Sequence, residues 1–196
     1  MRRVAELGSL GQTMTPDEFK GAWERDNDKL VTFPPEVVAT LRIPEAHRAF
    51  LIEPGLPESA APYLDFGGKQ YIQIPSAAEL WKAGEAFQRY RIIGANGFGD
   101  PICLDEESAG AVVYLNHDDE MNRRFMNSTV DRLAFSLLAF RDVVQETQRR
   151  GGSDAYLNGQ IPGDLVDQFI VQMEEIDPPA IESEQFWFRS ITGEGI

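Results

Sequence analysis

Apolar residues in the first third of the chain come in short clusters interrupted by prolines. TPDEFKGAWE, from Thr15 to Glu24, predicts a helix: a capping threonine precedes a proline at the first helical position, with acids in the first turn. PPEVVATL and PEAHRAFLIEPG predict two more short helices with proline starts, the second stopped by Pro54 and Gly55. The period then shortens to two. YLDFGGKQYIQIP alternates apolar and polar residues on both sides of Gly67 and Gly68, which predicts a hairpin. SAAELWKAG carries a capping box of Ser76 and Glu79 and stops at Gly84. AFQRYRIIG, DPICLD and AGAVVYLN predict three strands. Their short connections hold the turn chemistry of Asn96-Gly97, Asp105 and Gly110, as in an antiparallel meander.

Helical spacing returns at Asn127 or Ser128. Val130, Leu133, Ala134, Leu137, Leu138, Arg141 and Val144 share one stripe, Asp131 completes a Ser-x-x-Asp cap, and Gly151-Gly152 ends the helix. GDLVDQFIVQMEEI predicts a second amphipathic helix that ends at Pro178-Pro179, and SEQFWFRSIT predicts a closing strand. In a strand Trp187 points away from Phe186 and Phe188, so one side of it needs a further cover, such as a second subunit in a homodimer. The three tryptophans, Trp23, Trp81 and Trp187, are candidate interface anchors, but each lies in an apolar neighbourhood and most read as core. The fold class is α+β: a single domain in which helices flank a segregated antiparallel sheet.

A chain of 196 residues buries a sizeable core without staples. Its one cysteine, Cys103, excludes an internal disulfide and a cysteine-built zinc site. Between Ile102 and Leu104 it reads as a small core residue rather than a nucleophile. No apolar run approaches the roughly 18 residues of a membrane span. Behind Arg2 and Arg3, the residues Gly8, Gln12, Thr13 and Asp17 occupy the place where an export signal needs its apolar core. These features point to the cytoplasm.

Charge narrows the partners. Thirty-two acids against eighteen bases give −14, and the excess is uneven. Between Gly94 and Asn122 stand Asp100, Asp105, Glu106, Glu107, Asp118, Asp119 and Glu120 with no lysine or arginine. From Gly151 onward nine acids face one base, Arg189. Such a surface repels nucleic acid and anionic membranes and speeds association with a basic protein. Solubility alone also accounts for a net charge of this kind.

Little in the chain argues for catalysis. A P-loop needs a lysine after its last glycine, and a dinucleotide loop must open a helix. Here Gly94-Ala-Asn-Gly-Phe-Gly99 is followed by Asp100 and Pro101 and opens another strand, so Gly94, Gly97 and Gly99 read as turn glycines at positive φ. NHDDE, Asn116 to Glu120, holds ligand types, but neighbouring acids point apart and no glycine stands where a Ca²⁺ loop needs it. With His47 and His117 the only histidines and no Gly-x-Ser-x-Gly present, a nucleophile has few bases to draw on. No metal, cofactor or catalytic residue is expected.

The order of FLIEPGLP, YRIIGANGFGDPICLDEESAGAVVYLNHD and FMNSTVDRLAFSLLAFRDVV resembles the fourth immunity-protein family of the SUKH superfamily. The match rests on Gly55-Leu56-Pro57, the glycine turn with Asp100-Pro101, Asp105, Gly110 and Met126-Asn127-Ser128. EEIDPPAIESEQFWF also fits the pattern. The resemblance runs from about Glu45 to Ser190. Residues 1–40 are then an N-terminal helical extension and 41–196 the family-like core. The resemblance implies an α+β domain that binds and neutralises a partner toxin, frequently a nuclease, in polymorphic toxin systems. The matching positions Gly94, Gly97, Gly99, Gly110, Asn127 and Ser128 are structural, with Asn127-Ser128 as a helix cap.

A nuclease is basic where it holds phosphate, so an acidic cover suits it. We place that cover on Asp100, Asp105, Glu106, Glu107, His117, Asp118, Asp119 and Glu120, at strand ends where loops are free to carry function. Two other readings stand beside this one. The first is a regulatory or scaffold module with a cellular partner. The second is a small-ligand binder or enzyme with a pocket beside the Gly94–Asp100 turn, lined by Phe98.

Overall fold

The computed structural model describes residues 14–24, 29–82 and 84–193. Arg2, Arg3, Gly8, Gln12 and Thr13 lie outside the described residues, and with them the reading of the leading segment.

Helix α1 (Pro16–Trp23) starts at the expected cap. The Thr15 hydroxyl accepts from the Glu18 amide, and the Glu18 carboxylate accepts from the Thr15 amide. α1 buries Phe19 and Trp23, with Phe19 packed against Phe50 and Phe135. Helices α2 (Pro35–Val38) and α3 (Glu45–Ile52) follow, and β1 (Leu30–Val31) pairs with β2 (Leu56–Pro57) in a two-stranded ladder.

A second, six-stranded sheet carries the site. Its strands lie in chain order: β3 (Ser59–Ala60), β4 (Leu64–Phe66), β5 (Tyr90–Asn96), β6 (Pro101–Asp105), β7 (Ala111–Asn116) and β8 (Asn122–Asn127). Every neighbouring pair is antiparallel, so the meander is as expected. Alternation sends Ile102, Leu104, Val112 and Tyr114 to the main core, under helices α6 (Val130–Gly151) and α7 (Gly163–Ile176). Ile92, Cys103, Val113 and Leu115 point the other way. They meet Ala77 of α5 (Ala77–Trp81), Tyr71 of α4 (Gly68–Tyr71) and Phe87 of the 3₁₀ turn Glu85–Phe87. Cys103 is a core residue; burial, then the charge of Asp105, pushes its thiol well above its ordinary pKa.

Three expectations fail. Gly67-Gly68 does not turn a hairpin: β4 pairs with β5, and the chain after Gly67 coils into α4. Gly67 packs against Val31, whose Cγ1 would lie 2.3 Å from a Cβ there. The segment beyond it closes over the second face of the sheet instead of extending it.

The long helix does not begin at Asn127 or Ser128. β8, unforeseen in NRRFMN, runs through Asn127, and Thr129 is the cap, its hydroxyl accepting from the Arg132 amide. Both expected caps are occupied by one buried carboxylate. Asp177 Oδ2 accepts from Asn127 Nδ2 (3.1 Å) and the Ser128 amide (2.7 Å), and Oδ1 accepts from Ser128 Oγ (2.8 Å) and Arg132 Nη1 (3.0 Å).

The C-terminal strand is a helix, α8 (Phe186–Thr192). Phe186 and Trp187 are both buried in the main core, their rings edge to face at 5.1 Å. The Trp187 indole donates to Asn127 Oδ1 at 2.8 Å. Two adjacent buried rings suit a helix end and not a strand with opposed faces. The strand argument for a covering second subunit disappears with the strand.

Candidate partner-binding site

In a meander successive turns alternate ends. The turns β5–β6 and β7–β8 therefore share one end of the sheet, and the β6–β7 turn sits at the other. The acids expected on one face, Asp105 to Glu107 and His117 to Glu120, are thus parted by the length of β7. The structure instead brings Asp100 to His117.

At the β6–β7 end charge is compensated. Asp105 is 0% exposed and accepts from Arg89 Nη2 (3.1 Å), Arg123 Nε (3.2 Å), Ser108 Oγ (3.0 Å) and the Glu107 amide (3.1 Å). Glu106 turns its carboxylate onto Arg42, accepting from the amide (2.8 Å), Nε (3.2 Å) and Nη2 (3.1 Å). Glu107 is exposed but paired with Arg89. Three acids here meet three arginines, Arg42, Arg89 and Arg123. Asp105 is a buried hub of the turn, inaccessible to a partner.

The other end differs. Asp100 is buried too, but its partners are neutral groups and a histidine. Its Oδ2 accepts from Asn96 Nδ2 (3.0 Å), and Oδ1 meets the His117 amide (2.9 Å) and Nδ1 (2.6 Å). A carboxylate only accepts, so Nδ1 carries the proton. That bond is the main reason the His117 pKa is raised, with Asp118 adding to it and partial burial opposing it. Asn116 Oδ1 accepts from the amides of Asp118 and Asp119, and Asp119 pairs with Arg124 at 2.9 Å. Asp118 and Glu120 face solvent, Asp118 with its side chain 87% exposed.

The glycines divide their work. Of Gly94, Gly97 and Gly99, Gly99 alone takes positive φ (+88°). Gly94 lies within β5, where a Cβ would stand 2.3 Å from the Asp65 carbonyl oxygen, so its role is close approach of β4. Gly97 does the same for Tyr63, whose Cβ would be 2.8 Å from a Cβ at this position. Gly110 takes φ +79° against His47.

Of the aromatic residues at this end, the sequence reading gave Phe98 only a place in a pocket wall and Tyr63 none. Trp23 and Trp187 are core as expected, but Trp81 is 39% exposed and its ring lies over His117, centroids 6.0 Å apart. Phe98 and Tyr63 are exposed as well. A phenylalanine at a turn position that small polar residues usually fill was the signal available. Two shallow grooves mark the described surface, one lined by Pro35, Val38 and Arg48, the other by Asp65, Lys69 and Tyr71, and Phe98 lines neither. Among the described residues no three His, Cys, Asp or Glu side chains are grouped to hold a metal ion, and no helix is long and apolar enough to cross a membrane.

Compared with protein families, residues 9–192 match the model described as SUKH-4 immunity protein. The chain belongs to the SUKH-4 immunity protein family. The match takes in most of the N-terminal segment that the motif resemblance left outside, in keeping with the packing of Phe19 and Trp23 in the main core. No curated protein and no solved structure matches the chain.

Proposed function

We propose that this SUKH-4 protein binds a toxin domain and neutralises it without catalysis, acting in the cytoplasm where the toxin would act. The observation that carries the reading is the family match over residues 9–192. The net charge of −14 supports a basic target such as a nuclease. An acidic cover denies such an enzyme its phosphates, with electrostatics setting the on-rate and buried anchors the lifetime.

The test is co-expression of the tagged chain with the protein encoded immediately upstream of it. A stable complex and rescue of the growth defect caused by that protein are expected. A chain that neither binds nor rescues overturns the reading and leaves the regulatory module in its place.

A further inference from the structure

We infer that the toxin docks on the β5–β6/β7–β8 end of the sheet, where Phe98, Tyr63 and Trp81 serve as anchors and Asp118, Asp119 and Glu120 steer a basic partner. This placement rests on the immunity reading above.

Contact continuity makes these residues one surface. Tyr63 sits on Gly97, Phe98 is the next residue, Asp100 two further on holds His117, and His117 lies against Trp81. Phe98 is 64% and Tyr63 63% exposed. Exposed apolar residues scattered singly are ordinary, whereas several within reach of one turn mark an interaction surface.

The turn is also rigid. Asn96 Oδ1 accepts from the Phe98 and Asp100 amides, the Gly99 amide donates to the Asn96 carbonyl, and the Asn96 amide donates to that of Asp100. A turn whose backbone is held in place before binding loses little entropy on docking.

Charge selects the occupant. The acids Asp118, Asp119 and Glu120 adjoin the aromatics, while the bases on the same segments are Lys82, Arg123 and Arg124. Of these, Arg123 is turned onto Asp105 and Arg124 onto Asp119. A partner rich in lysine and arginine fits both features, since its cations pair with the carboxylates and stack on aromatic faces. At the β6–β7 end Asp105, Glu106 and Glu107 are all matched by arginines, whereas here Arg124 takes Asp119 and Asp118 lies 3.4 Å from the His117 ring.

The experiment measures association and dissociation rates of the full chain with the toxin domain of the upstream-encoded protein. Three variants are compared with wild type: Phe98→Ala with Tyr63→Ala; Asp118→Lys, Asp119→Lys and Glu120→Lys; and a control of equal charge change on α7, Asp167→Lys, Glu174→Lys and Glu175→Lys. Thermal melts confirm that each is folded. The aromatic variant is expected to dissociate at least about 30-fold faster, as loss of a hot spot does. The sheet-end charge variant is expected to associate about tenfold more slowly at low salt, with a flatter salt dependence, and the α7 control to do neither. A wild-type complex whose rates survive both sheet-end variants, or an α7 control that slows association equally, overturns the placement alone. A wild-type chain that forms no complex overturns the immunity reading, and the placement with it.

Discussion

The two histidines carry opposite pH signatures. His47 is buried, its Nδ1 finds no hydrogen-bond partner among the described residues, and burial lowers its pKa below the ordinary 6.5, with the charge of Asp131 opposing. The unfolded chain then binds the proton more readily, and the stability held by neutral His47 is present above pH 6.5 and lost as pH falls below it. His117 is raised above 6.5, so its contribution is complete below that pH and lost as pH rises through the folded value. Melting temperatures across pH 5–8 should show His47→Gln flattening the acid side and His117→Asn flattening the other; unchanged slopes would refute the assignment. Asn127 is the other residue whose loss is legible in its contacts. Asn127→Ala leaves the Trp187 indole without its acceptor and removes a donor from Asp177, and we expect a cost of about 2–4 kcal/mol, read as a lower urea midpoint at unchanged slope. The family motif made Asn127 and Ser128 conspicuous, but local spacing assigned them to capping. Their true partner, Asp177, stands fifty residues away in the chain, beyond the reach of any cap rule.

Elements were read well where a local signal and burial agree. Thr15 and Ser76 cap their helices as capping boxes, Gly152 ends α6 at φ +96°, and the three central strands of the meander stand close to where alternation put them, the first beginning at Tyr90 after the 3₁₀ turn that takes up Ala86 and Phe87. Reading failed where tertiary packing overrode the pattern. SEQFWFRSIT has strand-forming aromatics, yet Phe186 and Trp187 both need the core, which only a helix end provides. NRRFMN showed nothing, because the adjacent pairs Arg123-Arg124 and Phe125-Met126 break the apolar–polar alternation that marks a strand. Helix α1 illustrates how an apparent appendage becomes part of the body. Arg141 of α6 donates to the carbonyls of Ala22 (3.2 Å) and Trp23 (3.2 Å), the open end of α1, and lies over the Trp23 ring at 5.0 Å. Arg141→Ala should cost roughly 1–3 kcal/mol and speed amide exchange across Pro16–Trp23 ahead of the rest of the chain. Arg141→Lys, which keeps the charge but loses the fork, should fall between. Exchange rising uniformly over all helices instead would mean that α1 does not open on its own.

At the scale of the molecule the net charge of −14 acts in two directions. Raising NaCl from about 0.01 to 0.15 M shortens the screening length from ~30 to ~8 Å. Self-repulsion in the free chain weakens, while exposed pairs such as Lys20–Glu53 contribute little to begin with. The melting temperature of the free chain should therefore rise with salt as the affinity for a basic partner falls. If both fall, ion pairs outweigh repulsion, and the charge excess does not strain the fold. The excess itself was plain in the sequence. Which acids remain available was not, because Arg42, Arg89 and Arg123 reach the β6–β7 turn from distant segments.

The meander has a consequence for the order in which the chain assembles. Each strand of the large sheet pairs with its sequence neighbour, so closing those loops costs little entropy and the sheet can zip early. Translation completes the last strand of that sheet once Asn127 has left the ribosome. Asp177 and Trp187 arrive fifty and sixty residues later to lock the strand that ends there. The last strand of the sheet is thus synthesised well before the two residues that latch its end.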